Sequence, residues 1–352
     1  MKRLTLLLGS LLVVSAAASA KEVVPAPVVV QETPVQIVEK EVIVYREKEP
    51  EWRPSGFFKV QETYYGKTEN QNKKWNPYNQ YGRLEAEAGI QMTEKQALDF
   101  RVRNYQSWSG DSWAANNGER RNDQFRVRYY YDHGNIGDSK VNALSRVRYQ
   151  KEGSTHLAEY RLDFDFAEYL FNNDFVKTST AVIGPRYIYK WTGHDRYSNN
   201  IGIYADLINE FPFGFSTEIE IDGAQYSKFN KAEYNKGHKD DFNLTVNAKL
   251  MHNLNLYTID KFSFDWAFEG GYDSYEYSNE AIYSKEVADQ YDDASYSLYA
   301  KPAFVLTYNA TKFVSVYGEV GAEYRNWKIT ANTEAKNWRW QPFATVGVRT
   351  TF

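Results

Sequence analysis

Cysteine is absent from the 352 residues. An exported chain therefore has no disulfide framework to use, and no Cys-built metal site exists. Long apolar runs are also scarce. The run at 4–14 is too short for a transmembrane helix, which needs about 20 apolar residues. No later stretch of eighteen apolar residues occurs, which excludes a polytopic helical membrane protein. Histidine is sparse: His133, His156, His194, His238 and His252. They are expected in or near turns and loops, without ligand spacing such as H-x-x-x-H, so no metal and no cofactor is expected. His156 can be set beside Ser154, but nothing orients its imidazole as a Ser/His/acid set requires, and no enzyme is expected. The glycines lack the form of a nucleotide loop, and GYDSYEY at 271–277 reads as a strand. Basic tails or blocks are missing as well, which excludes nucleic acid as a partner.

What is present points to export and to lipid. Lys2 and Arg3 precede the apolar run, and Ala18-Ser19-Ala20 has the form of an A-x-A cleavage site. Residues 1–20 read as a secretory signal peptide. Aromatic residues reach 16%, with 29 Tyr, 20 Phe and 9 Trp, yet the mean hydropathy is −0.65. A transmembrane barrel reconciles the two: apolar side chains face out, polar ones face in, and Tyr and Trp gather at both lipid boundaries.

Residues 21–55 differ from the rest of the chain. Pro25, Pro27, Pro34, Pro50 and Pro54 interrupt a Val/Glu/Lys-rich run. Proline removes backbone donors and disfavours helix and central strand alike. This part is expected to be a periplasmic extension. It reads either as a flexible tether or as a short helix or strand over 34–45 that plugs the barrel mouth or zips to neighbouring subunits. From Gly56 to Phe352 the pattern is that of a transmembrane antiparallel β-barrel, all β, of about fourteen strands. The expected segments are 56–66, 80–92, 96–107, 120–131, 139–150, 155–166, 179–191, 199–210, 213–226, 239–251, 261–277, 290–308, 312–328 and 338–352. Tight turns are expected at Thr93-Glu94-Lys95, Phe211-Pro212 and Asn309-Ala310-Thr311, and longer links at 67–79, 108–119, 227–238, 278–289 and 329–337. Short periplasmic turns and long external loops then place both termini in the periplasm and the chain in the outer membrane. The alternation is imperfect: 151–154 is a short external link and 167–178 a long periplasmic one.

Side chains alternate faces along a strand. In the last segment Trp338, Trp340, Ala344, Val346, Val348 and Phe352 oppose Arg339, Gln341, Thr345 and Arg349. In 239–251, Phe242, Leu244, Val246, Ala248 and Leu250 oppose Asp241, Asn243, Thr245, Asn247 and Lys249. A soluble half-buried sheet shows the same alternation, but many long strands and little sign of helix favour a membrane barrel, the one way a sheet can span lipid. The final Phe352 is also the usual C-terminal aromatic of such barrels.

The water-side charges are ordered. Arg101 and Arg103, Arg126 and Arg128, and Arg146 and Arg148 form R-x-R pairs on three neighbouring segments, with Arg161 and Arg186 on the next two. Together they are expected to make a basic, pore-lining strip. Acidic pore-lining residues are expected at Glu85, Glu87, Asp163, Asp165, Asp206, Glu218, Glu220, Asp265 and Glu269, with Asp222 beside them. In a ring of fourteen the fourth strand lies opposite the eleventh, so the strip is expected to look across water at an acidic wall. Such a transverse field suits a general diffusion porin for ions and small hydrophilic solutes. The plainer alternative is that Arg and Glu on neighbouring strands simply hold the wall together, worth about 0.2–1 kcal/mol per pair. A different alternative is an adhesin that binds host or partner-cell surfaces through its external loops.

Several motifs carry a family resemblance: the start MKRLTLLLGSLLVVSAAASAKEVVPAPV, the run VEKEVIVYREKEPEWRPSG, LDFRVRNYQSW at 98–108, SKVNALSRVRYQ at 139–150, YKWTGHD at 189–195, FEGGYDSY at 268–275, YGEVGAEYRN at 317–326 and NWRWQPFATVGVRTTF at 337–352. Through them the chain resembles the fusobacterial major outer-membrane porin family (FomA-like) over essentially its whole length. The resemblance implies a nonselective, water-filled, voltage-sensitive porin assembled as a homotrimer. It also implies adhesion to host material and to other oral bacteria. It carries onto Arg101, Arg103, Arg146 and Arg148, while the external loops depart from the family in length and composition. A flat lipid-side patch with Gly318 and Ala322 is a candidate packing surface between subunits.

Overall fold

Two-faced strands with no apolar partner layer can satisfy their backbone only by closing on themselves. The computed structural model describes residues 52–69, 80–108, 122–235, 237–280, 283–284, 291–292, 294–326 and 338–352. The chain divides between Arg53 and Pro54 into two units, and the second holds every strand described. The expectations for 1–20 and for a folded 34–45 lie outside the described residues.

The strands are β1 (Ser55–Tyr65), β2 (Tyr81–Gln91), β3 (Gln96–Ser107), β4 (Gln124–Asn135), β5 (Asn142–Glu152), β6 (Thr155–Asp165), β7 (Lys177–Thr192), β8 (Arg196–Glu210), β9 (Phe215–Phe229), β10 (Asp240–Ile259), β11 (Phe262–Ser278), β12 (Tyr283–Ser284), β13 (Tyr291–Asp292), β14 (Ala294–Asn309), β15 (Val314–Asn326) and β16 (Trp338–Thr351). Fourteen of them form one closed antiparallel barrel, and β12 and β13 make a separate two-stranded ribbon. β1 pairs with β16 from Phe57↔Thr351 to Tyr65↔Phe343. Gly56 N–H donates to Phe352 O at 3.0 Å, and Phe352 N–H donates to Gly56 O at 3.1 Å. No helix among the described residues is long and apolar enough to cross a membrane, which says nothing about strands.

The expected strand number is found, with several boundaries shifted by a few residues and three strands running on past their expected ends. β10 runs to Ile259 rather than stopping at 251. Its extra residues, HNLNLYTI, continue the alternation, with Leu254 and Leu256 exposed. The link expected there shrinks to Asp260 and Lys261, with Asp260 at φ +48°. β4 runs four residues past its expected end because a bulge extends its pairing with β5. The Asp132 carboxylate holds this bulge, accepting Gly134 N–H at 2.8 Å and Asn142 Nδ2 at 2.9 Å. β9 continues to Phe229, moving the link after it to 230–239. Among the histidines, His133 and His156 lie at strand ends beside turns, as expected, but His252 lies well inside β10.

The convex face is apolar. Ile201 is 67% exposed and Val346 61% exposed, with Phe58, Val102, Val147, Ile219, Leu250 and Val320 in like positions. Gly318 and Ala322 share that convex face with Val320 on β15. Aromatic pairs cluster towards both ends of the wall: Phe262 with Tyr308 at 4.8 Å near one end, and Tyr324 with Trp340 at 4.8 Å near the other.

Candidate functional site

Strand parity and register decide what lines the concave face. Across β2, β3 and β4 the pairs Glu87↔Arg101 and Arg101↔Arg126 stand side by side, as do Glu85↔Arg103 and Asp99↔Arg128. Register continues through Arg128↔Arg148, Arg148↔Glu159 and Arg146↔Arg161 to Arg161↔Arg186. All eight strip arginines therefore share one face.

Contacts that skip a strand identify that face as the inner one, because long side chains converge only on the concave side of a ring. Arg186 on β7 reaches over β8 to β9, placing Nη1 2.9 Å from Asp222 Oδ1 and Nη2 2.9 Å from Gln225 Oε1. Between them in register lies Gly202. A Cβ there would sit 2.6 Å from Gln225 Cβ, so only glycine leaves the crossing clear. The same device recurs where Tyr317 on β15 spans β16 to donate to Gln61 on β1 at 2.7 Å. The strand crossed presents Gly347, whose Cβ would meet the Tyr317 ring at 2.5 Å.

The strip is ion-paired within its own wall. Arg103 bonds Glu85, and Lys59 lies 2.5 Å from Glu87. Arg128 Nε is 2.7 Å from Asp99 Oδ2. Glu159 takes both Arg146 and Arg148, the latter at 2.6 Å. Arg161 meets Asp163 at 2.5 Å and lies over the Tyr204 ring with its guanidinium carbon 3.5 Å from the centroid. Arg161 is 0% exposed, and Arg128, Arg146 and Arg186 are buried too. Buried pairs of this kind depend on one another, because removing one partner leaves an uncompensated charge.

This revises the expectation of two walls facing each other across water. Asp163 belongs to the strip itself, on the same strand as Arg161. Asp165 closes a turn: its Oδ1 accepts the backbone N–H of Ala167 at 2.9 Å and of Ala181 at 3.1 Å. Asp206, Glu218 and Glu220 lie on β8 and β9, directly beside the strip rather than opposite it. The Tyr204 hydroxyl donates to Glu220 at 2.8 Å, and Asn247 Nδ2 donates to it at 3.1 Å. Asp265 and Glu269 are on β11, across the ring from β4. Asp265 accepts Asn255 Nδ2 at 2.6 Å and Ser263 Oγ at 2.9 Å, and Glu269 accepts the Tyr299 hydroxyl at 2.6 Å.

Asp99 and Glu159 are absent from the acidic residues expected in the lumen, although they organise the strip. The signal for them was present: each sits two residues before an arginine, Asp99 before Arg101 and Glu159 before Arg161, and so shares its face. Among the described residues no group of three or more His, Asp or Glu is placed to hold a metal ion. The adhesive alternative rests mainly on links at 70–79, 109–121 and 327–337, which lie outside the described residues.

No protein-family model and no curated protein matches this chain. Solved structures similar to it include the NanC porin, at 9% identity over 84% of this chain and 100% of that one, with TM-score 0.33. The outer membrane channel DcaP of Acinetobacter baumannii is similar at 7% identity over 85% and 96%, with TM-score 0.38. Outer membrane phospholipase A from Escherichia coli is similar at 13% identity over 86% and 93%, with TM-score 0.31. A likeness this remote leaves function to be argued from the wall itself.

Proposed function

We propose that the chain is an outer-membrane diffusion porin, of the FomA-like fusobacterial kind, that passes ions and small hydrophilic solutes through its charged lumen. One observation carries this reading: a closed ring of fourteen strands, charged on its concave face and apolar on its convex face. In water such a convex face is a liability, and in lipid it is the matching surface. The aromatic pairs towards both ends of the wall fit the two lipid boundaries. β1 begins and β16 ends beside the short turns at 92–95 and 310–313, so both barrel ends belong on the periplasmic side in this reading. Assembly as a homotrimer follows from the family resemblance, with the small residues Gly318 and Ala322 available on the convex face. The arginine strip and the acidic residues beside it charge the wall of the path, with Arg128, Arg146, Arg161 and Arg186 buried within that wall.

The test is conductance of the purified full chain in planar bilayers. Stepwise currents in KCl are expected. Reversal of Arg126, Arg128, Arg146 and Arg148 to Glu is expected to move the reversal potential towards cation preference. A wild-type protein that inserts but gives no steps would sink the porin reading. Unchanged selectivity in the reversed protein would reduce the strip to a structural role.

A further inference from the structure

The strip is not evenly neutralised. Six of its eight arginines, namely Arg103, Arg128, Arg146, Arg148, Arg161 and Arg186, have a carboxylate oxygen within 2.9 Å. Arg101 and Arg126 do not. Arg101 makes no ion pair among the described residues, and its contact is Nη2 to Gln124 Oε1 at 3.5 Å. Arg126 Nη2 lies 3.7 Å from Asp99 Oδ1. That carboxylate is already engaged through its other oxygen, by Arg128 Nε at 2.7 Å and by the Tyr130 hydroxyl at 3.1 Å.

The remaining neighbours do not supply the missing charge. Glu87, paired in register with Arg101, lies 2.5 Å from Lys59. Glu85 is bonded by Arg103. On the far side Arg126 stands in register with Gln150, which is neutral. Arg101 and Arg126 are themselves direct register partners. Like charges opposite one another destabilise a sheet. The Arg126 side chain keeps 12% exposure, so the pair stays reachable from the lumen.

We propose that Arg101 and Arg126 form an oxyanion subsite on the lumen wall that takes the phosphate group of solutes in transit, an inference that rests on the porin reading. Two adjacent guanidinium forks match a tetrahedral oxyanion in geometry. Their combined charge suits a phosphomonoester, which carries about −1.5 to −2 charges near neutral pH. The Asp99 carboxylate beside them keeps the site weak and therefore compatible with release. A passage site must be favourable enough to enter and weak enough to leave.

The test is block of the KCl current of the full chain by inorganic phosphate, and separately by acetate, at matched ionic strength. Phosphate is expected to reduce the unitary current of the wild type more strongly than acetate does. In R101Q/R126Q the half-blocking phosphate concentration is expected to rise about tenfold. K190Q removes a cation elsewhere, on the same face of β7 as Arg186, and is expected to leave the block unchanged. R101K/R126K keeps both charges but loses the forks, and should fall between. If the double variant does not insert, R101Q and R126Q singly carry the same comparison. Equal half-blocking concentrations with KCl steps intact overturn the subsite, and acetate blocking as strongly as phosphate overturns its assignment to phosphate. A wild type without KCl steps overturns the porin reading itself, and the subsite with it.

Discussion

Along β3 to β7, carboxylates and guanidinia meet directly, as Asp99 does Arg128 at 2.7 Å and Glu159 does Arg148 at 2.6 Å. Along β10 and β11, Asp241 and Asp265 meet neutral donors, while Asp273 pairs with Arg325 of β15. Asp265 is held by Asn255 and Ser263, and Asp241 by the Ser278 hydroxyl at 3.0 Å. Both solutions satisfy the oxygen lone pairs, but only the first also cancels charge. A barrel wall can therefore be tied together by its ion pairs on one side and tuned electrostatically on the other, with the same residue types.

Substitutions that remove one carboxylate charge from each half separate the two solutions. Glu159→Gln strips the counter-charge from Arg146 and Arg148 together and is expected to cost about 3–5 kcal/mol. Urea unfolding of the reconstituted protein, followed by tryptophan fluorescence, measures it. On the convex face the two halves should respond alike. Val147→Arg on β5 and Val320→Arg on β15 each put a cation against lipid, at about 2–4 kcal/mol near the bilayer midplane. A large disparity between them would show that one of these faces is not lipid-exposed. The smallest effect is expected for Asp265→Asn, at about 1 kcal/mol, since neutral donors around the side chain can still be satisfied by an amide. Equal losses in Glu159→Gln and Asp265→Asn would end the distinction between the halves.

Much of this was legible in the residues. Period-two alternation locates every barrel strand, and parity alone puts the eight arginines on one face. Boundaries failed where polar residues continue a strand, as Asn253 and Asn255 do in β10. The pairing partners were less legible, since they depend on cross-strand register. Register is shifted locally by bulges, such as the one near Asp222 that lets it and Gln225, three residues apart, both reach Arg186. Charge order along one strand gives no access to that. Reading Arg101 as one of many cations, rather than one of two left over, comes from the same gap.

The seam between β1 and β16 has a consequence in time. Every other pairing in the ring joins strands that succeed one another around the barrel in chain order, so each can zip as a hairpin or a short excursion. The seam alone must bring Phe57 to Thr351. Until it forms, the sheet is a ribbon with two open edges, each a template for a foreign strand. Contacts so distant in sequence are the slow ones to form. Exposure to mispairing is thus concentrated in a single joining event, and the protein is most vulnerable just before it becomes a ring.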